Sequence, residues 1–387
     1  MYFSLLLLLP SAAAAPASQG TKLAPLITPP GNVIANRYIV KFKESAATSS
    51  VSTTLLNLNA KADAVYTNIF NGFSGTLSAT ALEQLRNHVE VDYIEQDSAV
   101  TIHAFIEQPD APWGISRISH QQGGNSTYVY DESAGSGTCT YVIDTGVDGS
   151  HPDFEGRAFQ IKSFIEGQDG DGDGHGTHCA GTIGSKTYGI AKQTTIYGIK
   201  VLDNEGSGTI SGVIAGMDFA MADSQTRSCP KGIVANMSLG GRYSLTLNRA
   251  AARLVEAGIF LGVAAGNSNS DASYYSPASE PTVCTVGATQ IDDSFASYSN
   301  YGSVVDILAP GTNILSTWIG GRTNIISGTS MATPHVVGLA AYLASLEGFP
   351  GSQALCERIR TISTQGAITK LPPKTTNFLA FNGNPSA

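Results

Sequence analysis

The sequence predicts an α/β fold in three layers, a mainly parallel central sheet with helices on both faces, preceded by a small α+β unit. Three observations carry this expectation. From Cys139 onward, short apolar runs alternate with longer stretches of helical periodicity, the pattern of strands joined by crossover helices. Charged residues make up 14% of the 387, well under the ~25% of an ordinary soluble domain, so a large compact core is expected. No internal repeat or low-complexity linker interrupts the chain after Ala111. One domain therefore fills that stretch.

The elements follow in order. Leu5 to Leu9 form an apolar core before the small residues around Ala12 to Ala17, the layout of an export signal over residues 1–17. No Lys or Arg precedes this core, and it is too short to span a bilayer. Residues 37–43, 73–77 and 89–95 read as strands and 79–86 as a short helix, giving a small unit over residues 18–104. Within residues 105–387 the strands are expected at 139–143, 196–202, 232–237, 258–264 and 282–287, and the helices at 211–223, 245–256 and 331–346. A net charge of -9 argues against nucleic acid, whose phosphates need a basic footprint.

Three distant segments contain what a serine hydrolase needs: Asp144-Thr145-Gly146, His175-Gly176-Thr177-His178 and Gly328-Thr329-Ser330-Met331-Ala332. A serine hydroxyl is a poor nucleophile near neutral pH, so an imidazole must take its proton and a carboxylate must hold that imidazole in the right tautomer. Asp144 ends an apolar run and so falls at the C-terminal edge of a predicted strand, where open α/β sheets bind ligands. His175 opens a helix after a glycine-rich loop. Ser330 begins another, where its own N–H and the positive helix end face a developing oxyanion. Pro334 is expected in that helix's first turn, where a missing donor costs little.

Rival readings of these residues are weaker. An aspartic protease needs a second Asp-Thr-Gly or Asp-Ser-Gly, and none exists. His175 with His178 suggests zinc, but no third ligand is suitably spaced. The run from Asp169 to Gly174 imitates the opening of a calcium loop, yet the place that should hold a glutamate is Ala180, so a solvated turn is expected. Five cysteines in an exported chain imply disulfides, with many pairings left open by spacing alone.

Chain order Asp, His, Ser is that of the subtilisins, and the flanking glycines agree. Ala111-Pro112-Trp113-Gly114, Asn236-Met237-Ser238-Leu239-Gly240-Gly241, Ala264-Ala265-Gly266-Asn267 and Tyr275-Ser276-Pro277-Ala278-Ser279-Glu280 tighten the match. From about Ala111 to near its end the chain resembles the subtilases, especially the secreted fungal members of the proteinase K branch.

The resemblance implies a secreted serine endopeptidase on a subtilisin-like three-layer domain, made as a self-cleaving zymogen. Residues 18–104 would be an inhibitory prosegment, with 100–104 as its tail and cleavage between Ala104 and Phe105. Asp144, His175 and Ser330 would be the triad and Asn267 an oxyanion donor. An extended peptide would pair with Gly206-Ser207-Gly208 and Ser238-Leu239-Gly240, with Ala264 and Gly266 walling the first pocket; Ile210 stands where an aromatic residue rims a distal pocket in proteinase K. The cysteines would pair as Cys139 with Cys229 and Cys284 with Cys356, leaving Cys179 as a small buried thiol. No cofactor is needed for catalysis, while one structural calcium is expected at Pro281, Val283 and Asp306. A second family site lacks its carboxylates, since Gln121 and Ala367 stand there. Asn125 is the expected glycan acceptor, and Asn236, on a buried strand, is not. The expected partners are protein and peptide substrates and the chain's own prosegment, in a monomer free of membrane and nucleic acid. A non-catalytic binding protein on the same scaffold is the competing class.

Overall fold

The computed structural model describes residues 23–29, 33–58, 61–99 and 105–387. Both the expected export signal and the tail at 100–104 lie outside these residues. The chain divides into two compact units, Met1–Val100 and Thr101–Ala387.

The first unit is a five-stranded sheet ordered Leu26–Ile27, Val91–Ser98, Val33–Phe42, Gly72–Thr76, Ala64–Tyr66, with helices Ser49–Leu58 and Ala79–Arg86. Val40, Phe73, Leu85 and Ile94 are fully buried in its core. The helix at Ala79–Arg86 starts where expected because the Ser78 hydroxyl accepts the Ala81 N–H as its cap. The helix at Ser49–Leu58 was not foreseen. Its Ser- and Thr-rich sequence has weak intrinsic preference, and burial of Val51 with Thr54 holds it.

The second unit is built on a nine-stranded sheet ordered Thr364–Gln365, Phe378–Leu379, Ile307–Pro310, Cys284–Thr289, Ile259–Ala264, Ile233–Met237, Cys139–Asp144, Thr195–Lys200, Ala158–Ser163. All neighbours are parallel except the first pair. On one face Val142, Val234 and Phe260 pack with helices His175–Gly184 and Thr329–Glu347. On the other, Tyr141, Ile143 and Ala235 meet helices Ile210–Ser224 and Leu245–Glu256. Alternate strand residues thus feed two cores, as three layers require.

The chain fills the sheet to one side of Cys139–Asp144 before crossing to Ile233–Met237 on the other. Such a reversal opens a crevice at the strands' C-terminal ends, and Asp144 is at that end. Disulfides join Cys139 to Cys229 and Cys284 to Cys356, each of a kind that contributes about 2–4 kcal/mol. Among the described residues no helix is long and apolar enough to cross a membrane.

Candidate active site

Asp144 is fully buried, and its Oδ1 accepts hydrogen bonds from the Thr145 N–H at 2.7 Å and from His175 Nδ1 at 2.7 Å. A carboxylate can only accept, so Nδ1 carries the proton and Nε2 keeps a lone pair. Burial disfavours the charged ring. The Asp144 charge and hydrogen bond, with Asp173 and Asp171 adding, nonetheless raise the His175 pKa above its ordinary value.

The loop before His175 is open to solvent at Asp169, Gly170 and Gly172, as expected of a turn, but its Asp171 carboxylate is engaged by the protein itself. Asp171 accepts the Thr145 hydroxyl, the Gly174 and Thr177 N–H groups and the Thr177 hydroxyl, so its carboxylate caps the His175 helix and ties it to the Asp144 turn. Asp173 accepts the His175 N–H at 3.0 Å. Gly174 has φ 111°, and a Cβ there would strike the Trp318 indole. No other residue fits that entry. His178 turns away, its Nε2 2.9 Å from Ile314 O, and burial lowers its pKa to about 4. Among the described residues His178 therefore joins no cluster of converging metal-ligand atoms with His175.

Ser330 is the second residue of helix Thr329–Glu347, so its N–H belongs to the unpaired first turn. The expected place of Pro334 needs correction: it lies five residues beyond Thr329, inside the helix. Lacking an N–H, it leaves the Ser330 carbonyl without its helical donor. The Ser238 hydroxyl fills that gap at 2.8 Å and the Cys179 thiol approaches at 3.4 Å. In return the Ser330 hydroxyl donates to Ser238 O at 3.0 Å. Ser330 and the segment Ser238-Leu239-Gly240 are thus tied together.

Cys179 is fully buried, with its sulfur, a His175 ring nitrogen and an Asp144 oxygen all within 4.8 Å of one another. Burial raises its pKa well above normal, so it stays a thiol. A small mercurial that reaches Cys179 is expected to inhibit by displacing His175. Cys179→Ala should remain active and become resistant; full activity of the wild type after stoichiometric labelling would refute the coupling.

Asn267 is oriented by a chain of donors. The Gly266 N–H donates to the Thr329 hydroxyl at 3.1 Å, so that hydroxyl spends its own proton on Asn267 Oδ1 at 2.9 Å. The Thr329 N–H reaches the same oxygen at 2.8 Å. Two donors fix the amide oxygen inward and leave the Nδ2 protons for the cleft.

Two cavities flank this centre. One of about 550 Å³ is bordered by His175, Gly206-Ser207-Gly208 and Ser238-Leu239-Gly240. The other, about 260 Å³, is bordered by Ala264, Gly266, Asn267 and Ser330. Every residue expected to bind substrate therefore lines one of them.

Lys200 was missed. It is fully buried, pairs with Asp144 across the sheet, and donates from Nζ to Thr145 O at 2.8 Å and Asn204 Oδ1 at 3.0 Å. Burial holds its pKa below normal despite the opposing carboxylates of Asp171, Asp203, Asp173 and Asp144. A lysine ending an apolar strand run was the available signal, because a buried cation needs partners. It braces the Asp144 turn against the loop at Asn204.

Asp306 is half-buried, and its Oδ2 accepts the Thr285 N–H at 2.8 Å. It stands beside the Cys284–Cys356 bridge, whose oxidised sulfurs are poor ligands. Asn125 is exposed, while Asn236 is buried with its amide on Ser238 Oγ at 3.0 Å.

Residues 135–376 match the subtilase family, and residues 37–103 match peptidase inhibitor I9. The chain is 57% identical over 383 residues to a cuticle-degrading protease of Metarhizium anisopliae, covering 98% of this chain and 99% of that one. It is 58% identical over 389 residues to the subtilisin-like serine protease AsES of Sarocladium strictum, with 100% of both chains covered. Proteinase R of Parengyodontium album is 55% identical over 387 residues, covering 99% of each. A crystal structure of a cold adapted subtilisin-like serine proteinase superposes with a TM-score of 0.67 at 41% identity, over 70% of this chain and 98% of that one. The chain belongs to the subtilase family and is a subtilisin-like serine protease with an I9 inhibitor segment ahead of its catalytic unit.

Proposed function

We propose that the protein is a secreted endopeptidase that cleaves peptide bonds through an acyl-enzyme, with Asp144, His175, Ser330 and Asn267 as its catalytic residues. The observation that carries this is the 2.7 Å bond from His175 Nδ1 to buried Asp144, set beside two cavities that share Leu239-Gly240-Gly241, one bordered by His175 and the other by Ser330.

As substrate enters, the Ser330 hydroxyl turns from Ser238 O to His175 Nε2, gives up its proton there and attacks the scissile carbonyl. The oxyanion is received by the Ser330 N–H and Asn267 Nδ2. His175 returns the proton to the leaving amine, and a water repeats the sequence to free the acyl group. The peptide lies extended between Gly206-Ser207-Gly208 and Ser238-Leu239-Gly240, held by backbone pairing that ignores sequence. Broad specificity follows. The small, largely apolar walls from Ala264 to Gly266 suit an apolar or aromatic residue before the cut, and Ile210, 46% exposed, gives the distal cavity an aliphatic rim.

Residues 1–17 serve as the export signal and 18–104 as the intramolecular inhibitor, removed by self-cleavage before Phe105. The mature protein acts outside the cell as a monomer, carrying a glycan at Asn125. A fluorophosphonate probe tests the central reading: the mature wild type is labelled and Ser330→Ala is not. Absence of labelling in the wild type would favour a binding protein.

One calcium ion is proposed at Pro281 O, Val283 O and Asp306, with no part in catalysis. The fit rests on a half-buried carboxyl pushed up to about 6 by burial, with no Lys or Arg ion pair among the described residues. An oxygen donor set with a carboxylate suits a hard cation. Chelation is expected to lower the thermal midpoint by about 5–10 °C relative to saturating calcium. Asp306→Asn should lose that difference, and an unchanged wild-type midpoint would count against the site.

A further inference from the structure

The pocket beside Ser330 has one charged residue in its lining, Arg242. The short strand Gly241–Arg242 pairs antiparallel with Tyr275–Ser276, placing Arg242 opposite Tyr275. The guanidinium lies over the Tyr275 ring, 5.5 Å from its centroid, and the ring is steadied through its hydroxyl, which accepts from Ser270 Oγ at 3.0 Å. Stacking of this kind limits where the cation can go. Arg242 is exposed, and among the described residues no carboxylate forms an ion pair with it. Its charge is therefore available to whatever enters the pocket.

Ser330 and Asn267 border the same cavity. A peptide whose carbonyl sits between those two must direct the side chain of that residue into this space. The remaining walls are neutral, from Leu239, Ala264 and Gly266 to Thr329. We infer that Arg242 sets the charge preference of this pocket, so that glutamate before the scissile bond is cleaved better than its neutral isostere glutamine, and lysine worse. Apolar side chains remain good substrates through burial, which the guanidinium's aliphatic stem supports. The inference rests on the protease reading and extends it to specificity.

The test uses the mature enzyme and four peptides identical except for Phe, Glu, Gln or Lys before the cut, with kcat/KM measured for each. Arg242→Gln is expected to lower the Glu-to-Gln ratio about twofold to fivefold, the range of a single solvent-exposed ion pair. Arg242→Lys should retain most of that ratio, and Arg242→Glu should raise the Lys-to-Gln ratio above that of the wild type. Raising ionic strength from about 0.05 M to about 0.5 M should shrink the wild-type preference, because the charges meet at a solvent-open wall. Ratios that are the same in wild type and Arg242→Gln would overturn the inference while leaving the protease reading intact, since phenylalanine would still be cut. Failure to cut any of the four would overturn the protease reading and the inference with it.

Discussion

Replacing Asp144 with asparagine is expected to lower kcat about 10⁴-fold, the scale of losing the triad carboxylate while keeping its shape. The reason lies in two hydrogen bonds that meet on one oxygen, from His175 Nδ1 and the Thr145 N–H, both at 2.7 Å. Asparagine has a single acceptor oxygen and no charge. If its oxygen stays in place, the imidazolium formed during attack loses the anion that stabilises it. If the amide flips, its NH₂ faces Nδ1, the ring proton moves to Nε2, and the base has no lone pair for Ser330. Either outcome removes general-base catalysis.

The pH profile separates this from simple misfolding. In the wild type the Asp144 charge raises the His175 pKa, and only the neutral ring can accept a proton from Ser330. Activity therefore rises as pH increases through that raised pKa. Removing the Asp144 charge lowers it, so the acid limb of kcat/KM should move to lower pH in Asp144→Asn even as the plateau falls. An unshifted limb, or a plateau within about tenfold of wild type, would take Asp144 out of the mechanism.

The sequence was most informative where local chemistry and the fold agree. The strand Cys139–Asp144 and helix Leu245–Glu256 appear within a residue of expectation, because one is a continuous apolar run and the other an amphipathic stretch capped by Ser244. Strand Ala158–Ser163 was missed. It lies at the sheet edge and is only partly buried, so its sequence lacks the apolar run of a central strand. The hairpin Ile314–Trp318 with Arg322–Ile326 was missed as well, although Gly320 and Gly321 form its turn.

At the site, the motifs named residues that the fold gathers around one cleft but not what holds them. The bond of Lys200 to Thr145, the bond of Thr145 to Asp171 and the exchange between Ser238 and Ser330 join residues 26 to 92 positions apart. No local pattern encodes such contacts. Even the effect of Pro334 depends on a hydroxyl from another element, which only the folded chain brings to the Ser330 carbonyl.

Asn267→Ala should lower kcat about 10²- to 10³-fold with little change in KM, since one donor to the oxyanion is lost and the ground-state contacts remain. The Thr329 side chain makes a sharper test of how that donor is aimed. Thr329→Val keeps the buried volume but removes the hydroxyl that receives the Gly266 N–H and donates to Asn267 Oδ1. The Thr329 N–H still holds the amide oxygen, so a loss of about tenfold in kcat is expected, one hydrogen bond's worth. If Thr329 acts through Asn267, the double variant should be no slower than Asn267→Ala alone, because an amide that is absent cannot be misdirected. Losses that multiply in the double variant would give Thr329 an independent role. A fall of less than about fivefold for Asn267→Ala would place the oxyanion donor elsewhere.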